Sequence, residues 1–219
     1  MLLGGGGHAK VIIEALRAQY PEIALCVLQP LKGASPSDVL GVPVIGDDGD
    51  LPRLVKDGIG HFVVALGAIG DNRPRAALFR QGIAHRLEPL TVQHGSAIVS
   101  PSAVLTPGCQ ILAGAVVGSE AHVGANAIIN TRAVVEHDCR IGEHAHVASG
   151  AVLAGNVQVG PQAHVGAGAV VRQSLRIGPS AVVGAGAAVI RDVAAGDTVV
   201  GVPALPIPSA FGAVARAAR

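Results

Sequence analysis

From residue 99 to residue 200 the chain returns to an aliphatic residue at every sixth position. Val99, Leu105, Ile111, Val117, Val123, Ile129 and their successors open seventeen hexads, and sixteen of the openers are Val, Ile or Leu; Ala195 is the exception. Four residues after each opener stands a second member of the inward set, among them Ala103, Cys109, Ala115, Ala121, Cys139, Val193 and Val199. Gly often follows the opener directly, as at Gly118, Gly142 and Gly160. A short fixed period of this kind marks a parallel β-helix, a coil whose sides are short strands. The large aliphatic fills the axis, the small residue sits where the wall turns inward, and Gly takes corners that disfavour a Cβ. Three sides per coil make 18 residues per turn, with successive turns about 4.8 Å apart. The pattern predicts a prism with no insertion through residue 200.

The first 86 residues follow another rhythm. Met1-Leu2-Leu3 supplies a strand end, Gly4 to Gly7 a turn, and Ala9 to Gln19 a helix with Val11, Ile12, Ala15 and Leu16 on one face. Strands are expected over Ala24–Gln29, Val42–Ile45 and His61–Leu66, and helices over Asp47–Lys56 and Arg73–Gln81. This β-α-β alternation implies a Rossmann-like α/β domain, a small parallel sheet with helices on its faces. The chain then divides into residues 1–86, a β-helix over 87–204 closed by Gly201-Val202-Pro203-Ala204, and a tail over 205–219. In that tail Pro206 and Pro208 break the chain and Ala210 to Arg219 reads as a short helix.

Composition narrows the class. Half of the residues are hydrophobic and only 2% aromatic, which suits a prism packed with Val, Ile, Leu and Ala better than a globule built on aromatic anchors. A formal charge of +1 gives no footprint for nucleic acid or an anionic membrane. The three cysteines cannot all pair within one chain, and Cys109 and Cys139 fall at inward positions, as buried thiols do. No signal-peptide pattern and no apolar run of about 20 residues occurs, so a cytoplasmic setting is expected.

Two groups of residues carry candidate chemistry. Gly5, Gly6, Gly7 and His8 belong to a Gly-x-Gly-x-x-Ala turn between a strand and a helix, where backbone N–H groups and a helix N-terminus can meet a diphosphate. The dinucleotide version of this turn wants an acidic residue after the second strand for a ribose hydroxyl. Here that place holds Gln29-Pro30, which favours a nucleotide diphosphate moiety over NAD. The second group is a set of histidines in the coil: His122, His137, His144, His146 and His164. A solvated polar residue is the plain expectation for each. A metal site is a rival, since His146 and His164 stand 18 residues apart and stack, but no metal is expected.

His137 differs in its neighbours. It follows the opener Val135 by two residues, which puts it outside the prism, and Asp138 stands beside it. Imidazole titrates near 6.5 and accepts a proton at neutral pH; an adjacent carboxylate orients the ring and steadies its cation. One turn later stands Gly155, whose N–H comes within about one strand spacing of the histidine's level. A base with a donor above it suits acyl transfer through a tetrahedral intermediate.

These residues resemble the NeuD/PglD-like bacterial sugar acyltransferases. The resemblance runs from Gly4–Lys10 through the Asn130–Gly160 block, with its Glu-His-Asp-Cys-x-Ile-Gly core, to the closing Gly201-Val202-Pro203-Ala204. It implies left-handed coiling, a homotrimer with active sites between neighbouring protomers, acetyl-CoA as donor and a nucleotide-linked amino sugar as acceptor. Position by position it makes His137 the general base and Asp138 its acidic partner. It puts Asn130, His146 and His8 near the acceptor, and Gly155, Ala167 and Ala185 along acetyl-CoA. Relatives that hold a uridine nucleotide commonly have an acidic residue after the second strand; Gln29-Pro30 leaves UDP and GDP sugars both open. A sugar or sialic acid O-acetyltransferase and a non-catalytic nucleotide-binding scaffold are the alternatives.

Overall fold

A computed structural model describes residues 1–30 and 37–207; the helix expected over Ala210–Arg219 and the break at Pro208 lie outside the described residues. The first part is an α/β unit with strands β1 (Leu2–Leu3), β2 (Val27–Leu28), β3 (Asp38–Val39), β4 (Val42–Gly46), β5 (His61–Val64) and β6 (Glu88–Pro89). Helices α1 (Gly7–Gln19), α2 (Leu51–Lys56) and α3 (Arg73–Ala84) connect them. The sheet order is β3-β4-β2-β1-β5-β6, parallel throughout except for the β3–β4 hairpin. The strand order therefore reverses between β1 and β5, and such a switch point opens a crevice at the carboxyl ends of the strands. The loops that rim it are Gly4–Gly6 and residues 65–72.

Several expected boundaries move. The second strand shrinks to Val27–Leu28, and the third buried strand ends at Val64 rather than Leu66. The helix expected over Asp47–Lys56 begins as a 3-10 turn, Asp48–Asp50, because Asp47 and Asp50 close a capping box there before the α-helical residues start at Leu51. The last helix runs three residues beyond Gln81, to Ala84.

From Val92 the chain winds as a three-sided prism of two-residue strands, each opener from Val99 to Val189 being the second residue of its strand, and ends on the three-residue strand Thr198–Val200. Strands 18 residues apart pair in parallel, for example Val116 with Val134 and Val134 with Val152. The winding starts one hexad before Val99, at Val92–Gln93, which pairs with Gln110–Ile111. Openers and the small residues two positions before them are buried together in one continuous core from Cys109 to Val199. Gly118 follows its opener because a Cβ there would stand 2.8 Å from the backbone nitrogen of His137 in the next turn.

The hexads do not run unbroken. Ile177 bridges Val193 and Val183 pairs with Val199, both 16 residues on instead of 18. Two residues are missing from the last turn, near Arg191–Asp192. Val193 takes the inward place there, and Ala195 is exposed. Ala195 was the single opener that was not Val, Ile or Leu, and its small side chain marks the slip. Pro206 does not break the chain: Leu205–Pro206 forms a strand antiparallel to Thr198–Val200. Proline donates no ladder bond, so it is tolerated at this edge.

The outward residues give each side its own character. On the first side the outward column is Val92, Gln110, Ile128, His146, His164 and Val182. The α/β unit lies on it, with Ala9, Ile12, Ile13 and Leu16 of α1 in one buried cluster with Val92, Leu112 and Ile128. The second side carries Ile98, Val116, Val134, Val152, Val170 and Ala188, all apolar and all half-buried or exposed. The third carries Val104, His122, Arg140, Gln158 and Arg176 and is polar.

Candidate active site

The corner between the second and third sides holds His137, Asp138 and, one turn on, Gly155. His137 Nδ1 lies 2.8 Å from Asp138 Oδ2. Adjacent residues reach each other because Asp138 takes a left-handed conformation, φ 62°, which folds its carboxylate back towards the preceding ring. A carboxylate only accepts, so Nδ1 carries the proton and Nε2 presents its lone pair. The ring lies over Gly155: a Cβ at that position would stand 2.5 Å from Nε2 and from Cε1 of His137. Both side chains of the pair are more than half exposed. The arrangement can take a proton from a nucleophile that approaches from outside the prism.

The corner between the first and second sides holds Asn130 and, higher up, Ala167 and Ala185, the two alanines exposed. Asn130 Nδ2 donates to His146 Nε2 at 3.0 Å, and its Oδ1 accepts from Thr131 N. His146 in turn donates from Nδ1 to the carbonyl of Ala68 at 3.0 Å. Its ring is 5% exposed and meets that of His164 edge-on at 5.0 Å. Burial, and after it the nearby His164 and Arg75, pulls the pKa of His146 down to about 3. The expectation of solvated histidines therefore fails for His144, His146 and His164, which are buried because their column and the adjoining corner lie under the α/β unit. His146 and His164 stack as foreseen; among the described residues no group of three His, Cys, Asp or Glu is placed to hold a metal ion.

His8 joins the two parts of the molecule. It stands in the first turn of α1, and its Nε2 donates to Gln110 Oε1 at 2.7 Å. Gln110, wholly buried, donates onward to the carbonyl of Val64 at 2.8 Å. Burial lowers the pKa of His8 to about 4, against the pull of its Gln110 bond. Gly6 caps α1, and its first turn contains no acidic residue, so the helix N-terminus keeps its positive end free of a competing carboxylate. Gly4 must be glycine: φ is +111°, and a Cβ would meet Ala65 C and O at 3.2 Å. Gly5 packs under the Gln29 side chain, while Gly6 and Gly7 face open space. Gln29, which stands where an acid was sought, thus lies against the turn itself.

Within one chain the proposed residues form two groups, not one. His137, Asp138 and Gly155 occupy one corner, while Asn130, Ala167 and Ala185 occupy the neighbouring one, with His146 and His8 behind it under the α/β unit. Sequence reasoning missed Gln110, Arg75, Asn126 and Asn72, which join the α/β unit to the prism. A signal for the covered side was present: its outward column, read at intervals of 18, contains no Lys, Arg, Asp or Glu, whereas the third side has Arg140 and Arg176.

Comparison with known proteins agrees with this architecture. Residues 1–81 match the PglD N-terminal domain model, and residues 120–155 and 138–173 match the bacterial transferase hexapeptide (six repeats) model. PerB from Caulobacter crescentus, solved in complex with CoA and GDP-perosamine, is 42% identical over 94% of this chain and 96% of its own, with a TM-score of 0.88. A perosamine N-acetyltransferase variant from the same organism, in which a histidine is replaced by asparagine, is 42% identical over 94% and 95% of the two chains, with a TM-score of 0.87. The acetyltransferase domain of PglB from Neisseria gonorrhoeae, in complex with acetyl coenzyme A, is 33% identical over 94% and 97%, with a TM-score of 0.85. No curated protein sequence matches at a significant level. The chain belongs to the NeuD/PglD-like hexapeptide-repeat sugar acyltransferases, with an N-terminal α/β domain and a left-handed β-helix.

Proposed function

We propose that this acyltransferase moves the acetyl group of acetyl-CoA to the amino group of a GDP-linked 4-amino-4,6-dideoxy sugar. The observation that carries the reading is the His137–Asp138 pair, whose unprotonated Nε2 faces outward over Gly155. The two relatives of 42% identity, each in complex with CoA and GDP-perosamine, support GDP over UDP, and Gln29 in place of an acid is compatible with that choice.

The chemistry follows from the geometry. The diphosphate lies against Gly5, Gly6, Gly7 and His8 at the N-terminus of α1. His8 is neutral at physiological pH and fixed by Gln110, so it offers shape and no charge. The sugar points towards Asn130 and His146. Its amine attacks the thioester carbonyl as Nε2 of His137 takes the amine proton, with Asp138 holding the ring. The tetrahedral oxyanion meets the Gly155 N–H. Collapse breaks the C–S bond, and the imidazolium returns the proton to the departing thiolate, leaving CoA and the acetamido sugar. The pantetheine arm runs along the corner past Ala167 and Ala185.

Two corners have to meet for this to happen, and the second side supplies the means. Its outward column is apolar from Ile98 to Ala188, and among the described residues no element lies over it. Three copies that turn this side to a three-fold axis bring the His137 corner of each beside the Asn130 corner of the next. The enzyme is therefore read as a homotrimer with shared sites. Among the described residues no helix is long and apolar enough to cross a membrane.

The test is turnover of acetyl-CoA with GDP-perosamine, read by thiol release and product mass. His137→Ala should lower kcat by about 10²–10⁴-fold, the usual worth of general-base catalysis, with a trimeric mass unchanged in light scattering. Wild-type turnover in that variant removes His137 from the reaction.

A further inference from the structure

Among the described residues Arg75, on α3, is the largest fully buried side chain, and no carboxylate stands with it. One end nitrogen donates to the carbonyls of Val64, at 3.3 Å, and Leu66. The other donates to the backbone carbonyl of Asn126 at 2.9 Å and to its Oδ1 at 2.8 Å. Nε has no partner. Burial lowers the guanidinium pKa to about 9, so it is still charged at neutral pH. A buried charge without a counter-ion is costly, and a hydrophobic residue of similar volume would fill the space. What a hydrophobic residue cannot do is satisfy the Leu66 carbonyl just past the end of β5; the Val64 carbonyl also accepts from Gln110. There the chain leaves the sheet to form residues 65–72, and its ladder partners stop.

That segment is the rim of the crevice opposite the glycine turn. Gly67 packs on His8: a Cβ there would be 3.3 Å from the histidine's Cβ. The Ala68 carbonyl holds His146, which is bonded to Asn130. Asn72 donates to the carbonyls of Gln162 and Ala163 on the prism, both at 3.1 Å. Arg75 sits at the root of all three contacts and ties that root to Asn126. Asn126 is fixed from the far side by His144, whose Nδ1 lies 3.0 Å from Asn126 Nδ2.

We infer that Arg75 is a positioning residue for the acceptor: its forked guanidinium clamps the end of β5 to the prism, and so sets residues 65–72 and the His146–Asn130 pair against the nucleotide sugar. The inference rests on the reading of that crevice as the acceptor site. A point charge cannot replace it, because the fork must reach β5 on one side and Asn126 on the other. Burial is the main cause that disfavours protonation of His8 and His146, and the nearby positive charge adds to it.

The test uses the full chain with Arg75→Met, Arg75→Lys and Asn126→Ala. Peptide-level hydrogen exchange should show residues 65–72 exchanging at least about tenfold faster in both Arg75 variants, with the prism turns unchanged. KM for GDP-perosamine should rise at least about tenfold while KM for acetyl-CoA stays within about twofold, and Lys should not rescue. Asn126→Ala removes the side-chain half of the prism end of the clamp and leaves the backbone carbonyl in place; it should raise the acceptor KM about threefold, which keeps the test open if neither Arg75 variant folds. Unchanged exchange and acceptor KM in folded variants overturn the inference. So does an equal rise in both KM values, which marks a merely structural residue, or full rescue by Lys. If the wild-type protein does not turn over the sugar, the proposed acceptor fails while the exchange result still decides whether Arg75 sets the loop.

Discussion

His137 and His146 stand on the same β-helix, nine residues apart in sequence, and the protein treats them in opposite ways. His137 is on an open corner, more than half exposed, with a carboxylate at one nitrogen and, among the described residues, no hydrogen-bond partner at the other. His146 is under a domain, with both nitrogens engaged and its proton affinity suppressed. The difference is one of phase. His146 immediately precedes an opener and so points squarely out from a side, where a domain covers it. His137 follows an opener by two and so lies at a corner, which stays open for a substrate. Position within the hexad, together with the side on which it falls, thus separates an open histidine from a covered one: His122 shares the phase of His146 but stands on the third side and is only partly buried.

The largest effect expected from this contrast is on stability in acid. The folded-state pKa values of His8 and His146 lie below the ordinary 6.5, at about 4 and about 3. Above pH 6.5 both are neutral whether the chain is folded or not, and they contribute no pH dependence. Between 6.5 and those lower values the unfolded chain binds protons that the folded chain refuses, so stability falls as pH falls. At pH 4 the cost is on the order of 3 kcal/mol for His8 alone, and His146 adds to it. The joint between α/β unit and prism should open first, because both rings are in it and the prism core is aliphatic. Melting temperature should drop steadily from pH 6.5 to 4.5, and a His8→Gln/His146→Gln double variant should flatten that slope. A wild-type slope as flat as the double variant's ends the idea.

How much of this contrast could be read beforehand also follows from phase. The hexads gave the prism, and counting by 18 put Gly155 over His137, because register in a parallel coil is set by spacing alone. The slip at Ala195 left one weak opener as its trace. The burial of His146 could not be read, since it depends on a domain folded from residues 1–89 docking on one side. Such docking is recorded in residues like Gln110 and Arg75, whose partners are backbone carbonyls distant in sequence. Short strands also differ at their ends: partly buried apolar residues such as Leu25 and Leu66 extend the hydrophobic run beyond the ladder bonds.

A smaller effect is expected where the open corner is made less open. Gly155→Ala puts a methyl group into the space of the His137 ring, 2.5 Å from Nε2 and Cε1. The ring has solvent to move into, so the fold should survive with little change in melting temperature. The base is displaced by about 1 Å or more, and misplacement on that scale costs about 10²-fold in rate. Steady-state kinetics should show the loss in kcat with the acceptor KM nearly unchanged. A variant as active as wild type would mean that the observed ring position is not the working one.

The smallest effect should come from Asp138→Asn. In a buried catalytic triad the same change costs about 10⁴-fold, because the amide traps the wrong tautomer. Here the carboxylate and the imidazole are both more than half exposed, and an exposed pair of this kind is worth about 1 kcal/mol or less. Water can take the carboxylate's place at Nδ1, and the Asn side chain can turn either its oxygen or its nitrogen to the ring. A loss of about tenfold or less in kcat is therefore expected, with acetyl-CoA KM unaffected. A loss near 10⁴-fold would instead show that the corner is sealed during turnover. In that case the neighbouring protomer, once it and both substrates are in place, gives Asp138 the dry surroundings that His146 already has within its own chain.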